Sequence, residues 1–273
     1  MTDNECILVS VNITTFNRSK LLKRCLDSIK AQTYKFIEII VIDDCSSDIG
    51  YQEIIKHKDI YSNLIYKRNS TNRGNAYSRN MALELSNGEL IAFLDDDDYW
   101  IDNDKISRQV DLFRKDKEEK FGICCTSVRR FYKEDLFRDQ IVEEPSNLQS
   151  LILAGNGLIY SPTVMIRKEL LKELNGFDES LPRGVDSDLY RRVIINRRKS
   201  IYFDPRITTA VREYGTDRMT KIDTRINIIK GMLSHLIAFR KFNIRFFIFP
   251  KSLFLRLKSL IYLIIKYIST FLK

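Results

Sequence analysis

The stretch ELIAFLDDDDYW, Glu89–Trp100, sets a run of mostly apolar residues against four consecutive carboxylates, Asp95, Asp96, Asp97 and Asp98. A short apolar run bounded by turn signals reads as a fully buried strand. The acids at its carboxyl end repel one another, and burying an unpaired carboxylate is costly. A second run of the same kind, FIEIIVI at 36–42, ends in Asp43 and Asp44. Outward from these, ILVSVNI (7–13) and NLIYKR (63–68) predict further strands. KLLKRCLDSI (20–29), residues 51–57 and RGNAYSRNMALELS (73–86) predict helices, the last closed by Asn87-Gly88. Alternating helices and near-continuously apolar strands predict an α/β fold with a parallel sheet covered on both faces. Ligands of such sheets bind beyond the carboxyl ends of the strands, and both acid clusters lie there. A divalent cation shared with a diphosphate would remove the repulsion, since magnesium takes one or two carboxylates plus phosphate oxygens. A solvated acidic loop is the alternative.

The second half is less regular. Residues 104–117 predict a charged, exposed helix, and FGICCTSVRRFY a strand. GLIYSPTVMIRKELLKELNGF predicts a strand and then a helix closed by Asn175-Gly176. DSDLYRRVIIN (186–196) predicts a helix with an acid-rich first turn, which favours the helix dipole. SIYFD and ITTAVREY predict two separate strands. The five cysteines have no zinc-ligand spacing and read as small apolar residues. Residues 1–5 are polar and the apolar run after them is short for a secretory signal, so the expected location is cytoplasmic.

Four segments, in this order and spacing, resemble the family 2 glycosyltransferases. SVNITTFNR resembles the family's opening strand and loop, and VIDDCSSD its hydrophobic-Asp-Asp segment. NRGNAYSRNMALELSNGELIAFLDDDDYW resembles its long block ending in Asp-x-Asp, and NGFDESLPRGVDSDLYRR its Gly-Phe-Asp-Glu segment. The resemblance implies the GT-A fold, a Rossmann-like, mostly parallel sheet flanked by helices. A nucleotide-sugar half would cover about residues 1–100 and an acceptor half about 101–220, followed by an amphipathic helical tail at 221–273. It implies inverting, metal-dependent transfer from a nucleotide sugar, expected to be UDP-linked, to a saccharide acceptor, with magnesium or manganese as cofactor. Thr14, Phe16, Asn17, Arg18, Asp44, Asn72, Arg79, Asp95 and Asp96 would bind the nucleotide sugar. Asp97 would be the metal ligand and Asp186 the general base.

Within that assignment Thr14 and Phe16 would line the base pocket, with a core position the other reading for Phe16. Asp44 would accept from the uracil ring, and Asp43 be structural. Arg79 suits a phosphate by its planar fork, and equally a salt bridge to the acids. Asp186 has a helix-capping role open to it as well. Trp100 would pack beneath the site. Val185 stands where a glutamate is typical, and REYGTDRM (212–219) carries no histidine where some relatives have one, so a third metal ligand is not identified. A binding or scaffold protein that has lost catalysis is the rival reading. A nucleotidyltransferase is disfavoured because ITTFNR lacks a glycine-rich phosphate loop.

The net charge of +9 is uneven. From residue 224 on there are ten basic residues and no acid, whereas the preceding part has 35 basic and 36 acidic residues. On a helical wheel, residues 251–273 put Lys251, Ser252, Lys258, Ser259, Lys266, Ser269, Thr270 and Lys273 on one side. Leu253, Leu257, Leu260, Ile261, Ile264, Ile268, Phe271 and Leu272 fall on the other. The longest uncharged stretch there, 259–265, is far below the ~20 apolar residues of a membrane span. A lysine face opposite an apolar face predicts a helix lying in the interface of an anionic membrane. Docking on the protein's own body is the alternative. The expected acceptor is therefore lipid-linked, at the inner face of the cell membrane, in surface-polysaccharide assembly (O-antigen, capsule or exopolysaccharide). No motif supports nucleic acid as the reader of the basic charge.

Overall fold

The computed structural model describes residues 6–48, 61, 63–133, 135–155, 158–196, 199–214 and 224–271. The helix expected at 51–57, with His57, and the segment 215–219 lie outside them. The chain divides into two compact units. The first comprises Met1–Glu144, Ile159–Gly176 and Lys199–Glu213. The second comprises Pro145–Leu158, Phe177–Arg198 and Tyr214–Lys273.

The first unit is built on one sheet. Its strands are β1 (Val9–Thr15), β2 (Ile37–Asp43), β3 (Leu64–Arg68), β4 (Leu90–Phe93), β5 (Tyr99–Trp100), β6 (Phe121–Phe131), β7 (Phe137–Gln140), β8 (Met165–Arg167) and β9 (Ser200–Arg212). They run in the order β3-β2-β1-β4-β8-β6-β9-β5, with β7 beside β6. The β3-β2-β1-β4 block is parallel throughout. From β1 the chain moves outward to β2 and later returns to β4 on the other side, so the strand order reverses at β1 and β4. That crevice is where open α/β sheets hold ligands, and Asp95–Asp98 follow β4 directly.

Strand alternation decides which face each helix covers. Val9, Val11, Ile13, Ile39 and Val41 pack with Leu22, Leu26 and Ile29 of α1 (Ser19–Lys30) and Ile106, Val110 and Phe113 of α3 (Lys105–Lys115). Ile40 and Ile42 point the other way and meet Ala82 of α2 (Asn75–Leu85). The mixed α/β architecture expected from the alternation is thus present. Helix α3 corrects the expectation of an exposed helix. Its charges surround a buried set at helical spacing, Lys105, Ile106, Gln109, Val110 and Phe113. The two strands expected at 200–204 and 207–214 are one, β9, which ends at Arg212, and its register against β6 shifts at Thr126/Ser127, opposite Asp204 and Ile207. A bulge of this kind accommodates Pro205, which offers no N–H to a ladder. The expected strand at 158–167 contracts to β8, preceded by a 3-10 turn, Ser161–Thr163, and followed by α5 (Lys168–Glu173).

At the opposite, amino-terminal edge of the sheet, the Asn87-Gly88 turn is clamped by the buried Glu38 carboxylate. It accepts from Ser10 Oγ and from the backbone N–H groups of Asn87 and Gly88. A Cβ on Gly88 would stand 2.6 Å from Ser10 N and 2.7 Å from Leu8 O, both backbone atoms that cannot swing aside. Gly88→Ala is therefore expected to cost about 3 kcal/mol of stability, read as a lowered urea midpoint. An unchanged midpoint would show that β1 yields there.

The second unit is helical: α4 (Leu148–Ala154), α6 (Val185–Arg191) continued by a π turn at Arg192–Asn196, α7 (Arg225–Ile248) and α8 (Pro250–Ser269). Leu153, Ala238, Phe242 and Phe246 form its core. The expected tail helix is a pair. Arg225, at the start of α7, donates to Thr270 just past α8, so the two run antiparallel. Gly231 lets Leu263 approach, since a Cβ there would meet its Cδ1 at 3.1 Å. The stripe of α8 turned inward includes Ser252, Arg256 and Leu263. These three fall on one arc of the wheel, on the side that holds Ser252, so the apolar side is not the one turned inward. Phe254, Leu257, Ile261, Ile264, Ile265 and Ile268 stay exposed, as do Ile226, Ile229, Leu233 and Leu236 on α7.

Candidate active site

The loops after β1, β2 and β4 meet at the reversal point. Asp95–Asp98 form a tight turn closed by the Asp98 N–H on Asp95 O. Their charges are answered by three arginines from distant parts of the chain. Arg79 of α2 pairs with Asp95 at 2.8 Å, the salt-bridge alternative of the sequence reading. Arg18, at the head of α1, reaches Asp96 at 3.0 Å and Asp97 at 3.2 Å. Arg212, the last residue of β9, lies 3.6 Å from Asp97 and gives its backbone N–H to Asp98 at 2.8 Å. Thr15 Oγ1 donates to the second oxygen of Asp96.

Among the described residues, three guanidiniums pair with these four carboxyl groups. Burial outweighs Arg18 and pushes Asp96 up to about 7. Burial also raises Asp97, with Arg18 opposing and Asp95 adding to the rise. Asp98 is raised well above the carboxylate range, first by burial and then by Asp97 and Asp95. A cluster that still favours added positive charge, made of hard oxygen donors, fits a magnesium or manganese ion. Among the described residues no group of three or more histidine, cysteine or acidic side chains forms a complete metal cage. The remaining ligands would then have to come from a phosphate or from water.

The other expected residues of the first unit lie on β1, on the loops after β1 and β2, and on the loop after β3. Phe16 is 44% exposed, so it is not a core residue. Asn17 adopts φ 55°, and its side-chain oxygen accepts from the N–H groups of Ser47 and Asp48, joining the β1 loop to the β2 loop. Thr14 donates to Asn75 at the start of α2. The Asp44 carboxylate accepts from Asn69, Arg73 N and Gly74 N, each at 2.8 Å. It thereby shapes the loop carrying Asn72, which is exposed. Three of about four acceptor positions are used, leaving one for an incoming donor. Asp43 is fully buried and holds Ser46 N and the Tyr66 hydroxyl, a structural role as expected. Trp100 is buried behind the acids, its indole N–H on Pro162 O.

Asp186 belongs to the second unit, half-buried in the first turn of α6. Asp188, two residues on, is buried and held by Arg192 at 2.7 Å and Lys241 at 3.0 Å. Sequence reasoning missed Thr15 and Arg212. Arg212 was open to the logic applied to Asp95, a charge at the carboxyl end of an apolar run, ITTAV.

Residues 10–174 match the model of glycosyl transferase family 2. The chain is 42% identical over 110 residues to WfaP of Escherichia coli, described as a UDP-Glc:α-D-GlcNAc-diphosphoundecaprenol β-1,3-glucosyltransferase. That match covers 40% of this chain and 43% of WfaP. Across the first curated relatives it matches, the chain spans from 31% to 63% of their length. In fold it resembles the 1–349 fragment of TarS from S. aureus bound to UDP-GlcNAc, with TM-score 0.66 and 23% identity over 84% of this chain and 66% of that one. It also resembles the mannosyltransferase PcManGT of Pyrobaculum calidifontis with GDP-Man and Mn2+, with TM-score 0.64 and 19% identity over 89% and 65%. The fold is that of the GT-A glycosyltransferases, and with the family model spanning more than half of its residues, the chain belongs to glycosyl transferase family 2.

Proposed function

We propose that the chain carries out inverting transfer of a sugar from a UDP-linked donor to a lipid-linked saccharide during surface-polysaccharide assembly. The observation that carries this reading is the buried acid cluster, with Asp96, Asp97 and Asp98 raised above the ordinary carboxylate range, set among arginines at the reversal point of the sheet. WfaP, whose described donor is UDP-Glc and whose acceptor is a diphosphoundecaprenol-linked sugar, supports the substrate class.

Phe16 offers an exposed aromatic face to the base, and Asp44 its remaining acceptor position to the uracil N–H. Arg18 and Arg79 bring guanidinium groups to the diphosphate. Asp97, with Asp95 beside it, would hold magnesium or manganese, which when bound supplies positive charge against the leaving diphosphate. Asp186 takes the proton of the acceptor hydroxyl. That oxygen forms the new bond to the anomeric carbon, while the bond from that carbon to the diphosphate oxygen breaks on the opposite face. The electron pair leaves with the nucleoside diphosphate.

The helix pair α7–α8 would rest on the inner face of the cell membrane. No helix among the described residues is long and apolar enough to cross a membrane. The exposed stripe Leu257, Ile261, Ile264 and Ile268, flanked by Lys251, Lys258 and Lys266, suits an anionic interface. Cosedimentation with vesicles containing phosphatidylglycerol, and not with neutral ones, checks this placement.

The test of the reaction is incubation of purified protein with bacterial lipid extract and a panel of nucleotide sugars, with and without Mn2+, read by mass spectrometry of the lipid fraction. Addition of one sugar from a UDP donor, dependent on the metal, is expected. UDP binding with no transfer from any donor would overturn the reading in favour of a binding protein.

A further inference from the structure

The second unit holds a group of buried cations that glycosyl transfer does not use. Arg191 of α6 and Arg256 of α8 are 4% and 3% exposed. A Cβ built on Gly155, at the end of α4, would lie 3.2 Å from Arg191 Nη1 and 3.3 Å from Arg256 Nη2. Both guanidiniums thus reach the same point beside a glycine whose φ is +75°. Arg256 also donates Nε–H to Leu153 O and Nη1–H to His235 Nδ1. Arginine has no acceptor, so His235 accepts through Nδ1 and is neutral, with its proton on Nε2.

Among the described residues neither guanidinium has a carboxylate at ion-pair distance. Arg191 Nε is buried without any hydrogen-bond partner. The nearby acids are committed elsewhere: Asp188 to Arg192 and Lys241, and Asp178 to Lys241. Among the described residues, the carboxylates paired within the group Arg191, Arg192, Lys241 and Arg256 are Asp188 and Asp178, and both pairings go to Arg192 and Lys241. The carbonyl end of α4 offsets only part of one charge. Burial lowers Arg191 to about 10 and Arg256 to about 9, as expected of cations short of counter-charge. Burial, then Arg256 and Arg191, depress His235 to about 4.

We propose that Arg191 and Arg256 form a binding site for a phosphate or diphosphate group, seated against Gly155. Planar guanidinium forks match phosphate oxygens, and a doubly charged anion matches the charge of this pair of guanidiniums. The small residue leaves backbone accessible to the ligand, where any side chain would fill the space. The phosphate could be free in solution or the headgroup of a lipid, and both present the same oxygens.

His235 is a local reporter of this guanidinium pair. Its imidazole signals, distinguished from those of the one other histidine by the His57→Asn variant, are followed by NMR against pH. One arm adds sodium pyrophosphate. The other adds dihexanoyl phosphatidic acid below its micelle concentration. Sodium chloride at equal ionic strength is the reference. A filled site offsets the two guanidiniums and raises the His235 midpoint by about one unit or more. A rise with pyrophosphate identifies a soluble anion as sufficient, and a rise with the lipid alone identifies a headgroup. In Arg191→Gln the rise should be lost, while the melting temperature without added anion holds or increases because an unmatched buried charge is gone. A midpoint unmoved by both ~20 mM pyrophosphate and the submicellar lipid would overturn the proposal, as would an equal rise in Arg191→Gln.

Discussion

Asp97→Asn is expected to lower sugar transfer by about 100- to 1000-fold, the range seen when one electrostatic contact to a developing charge is removed. It should do so without loosening the fold. Asp97 sits among three like charges, and burial keeps its pKa above the ordinary carboxylate value despite Arg18 and Arg212. An acid with a raised folded-state pKa contributes stability below its unfolded pKa, and that contribution disappears as pH rises through the folded value. The asparagine variant should therefore melt higher than the parent at pH 8 and equal to it near pH 4. Activity lost with stability kept or gained marks Asp97 as a functional residue. Full activity would remove it from the site, and early melting at pH 8 would make it a structural one.

The second large effect concerns Lys105, which sequence reading had placed on an exposed helix. It is fully buried, gives Nζ–H to Gln109 and lies 4.5 Å from the Trp100 ring centre. Burial lowers its pKa from 10.5 to about 7. Between pH 7 and 10.5 the unfolded chain holds a proton there that the folded chain has released. Stability must then rise with pH, by about 1.4 kcal/mol per unit from this residue alone. Lys105→Met removes that slope. The variant should gain most over the parent below pH 7, less the ~1 kcal/mol of the lost hydrogen bond, and the gap should close toward pH 10.5. Urea denaturation at three pH values reads it, and parallel curves for parent and variant would refute a proton-linked role.

These two residues mark what local sequence can reveal. The acids were legible because an apolar strand followed by charges places those charges at a sheet edge, whatever lies elsewhere in the chain. Their counter-ions were not. Arg18 meets Asp96 across 78 residues and Arg212 meets Asp98 across 114, and no local pattern encodes such pairings. Lys105 was misplaced because the charged residues of α3 outnumber its buried stripe of Ile106, Val110 and Phe113. Tyr99–Trp100, only two residues long, shows no period at all, and β9 was split in two by the proline its bulge accommodates. The tail's helical character was legible from its spacing. Its inward face was not, because Arg256 and Ser252 are buried by helix pairing and hydrogen bonding, not by hydrophobicity.

The late position of β9 gives the first unit an order of assembly. On the ribosome, the acids emerge more than a hundred residues ahead of Arg212, the cation that relieves Asp97 and gives its backbone N–H to Asp98. Over that interval the long strand β6 also lacks its parallel neighbour, leaving unpaired backbone groups as a template for other nascent chains. A translation product stopped between Arg167 and Ser200 would thus combine an open strand with an over-charged turn, and should fall to proteases or aggregates sooner than one released after Glu213.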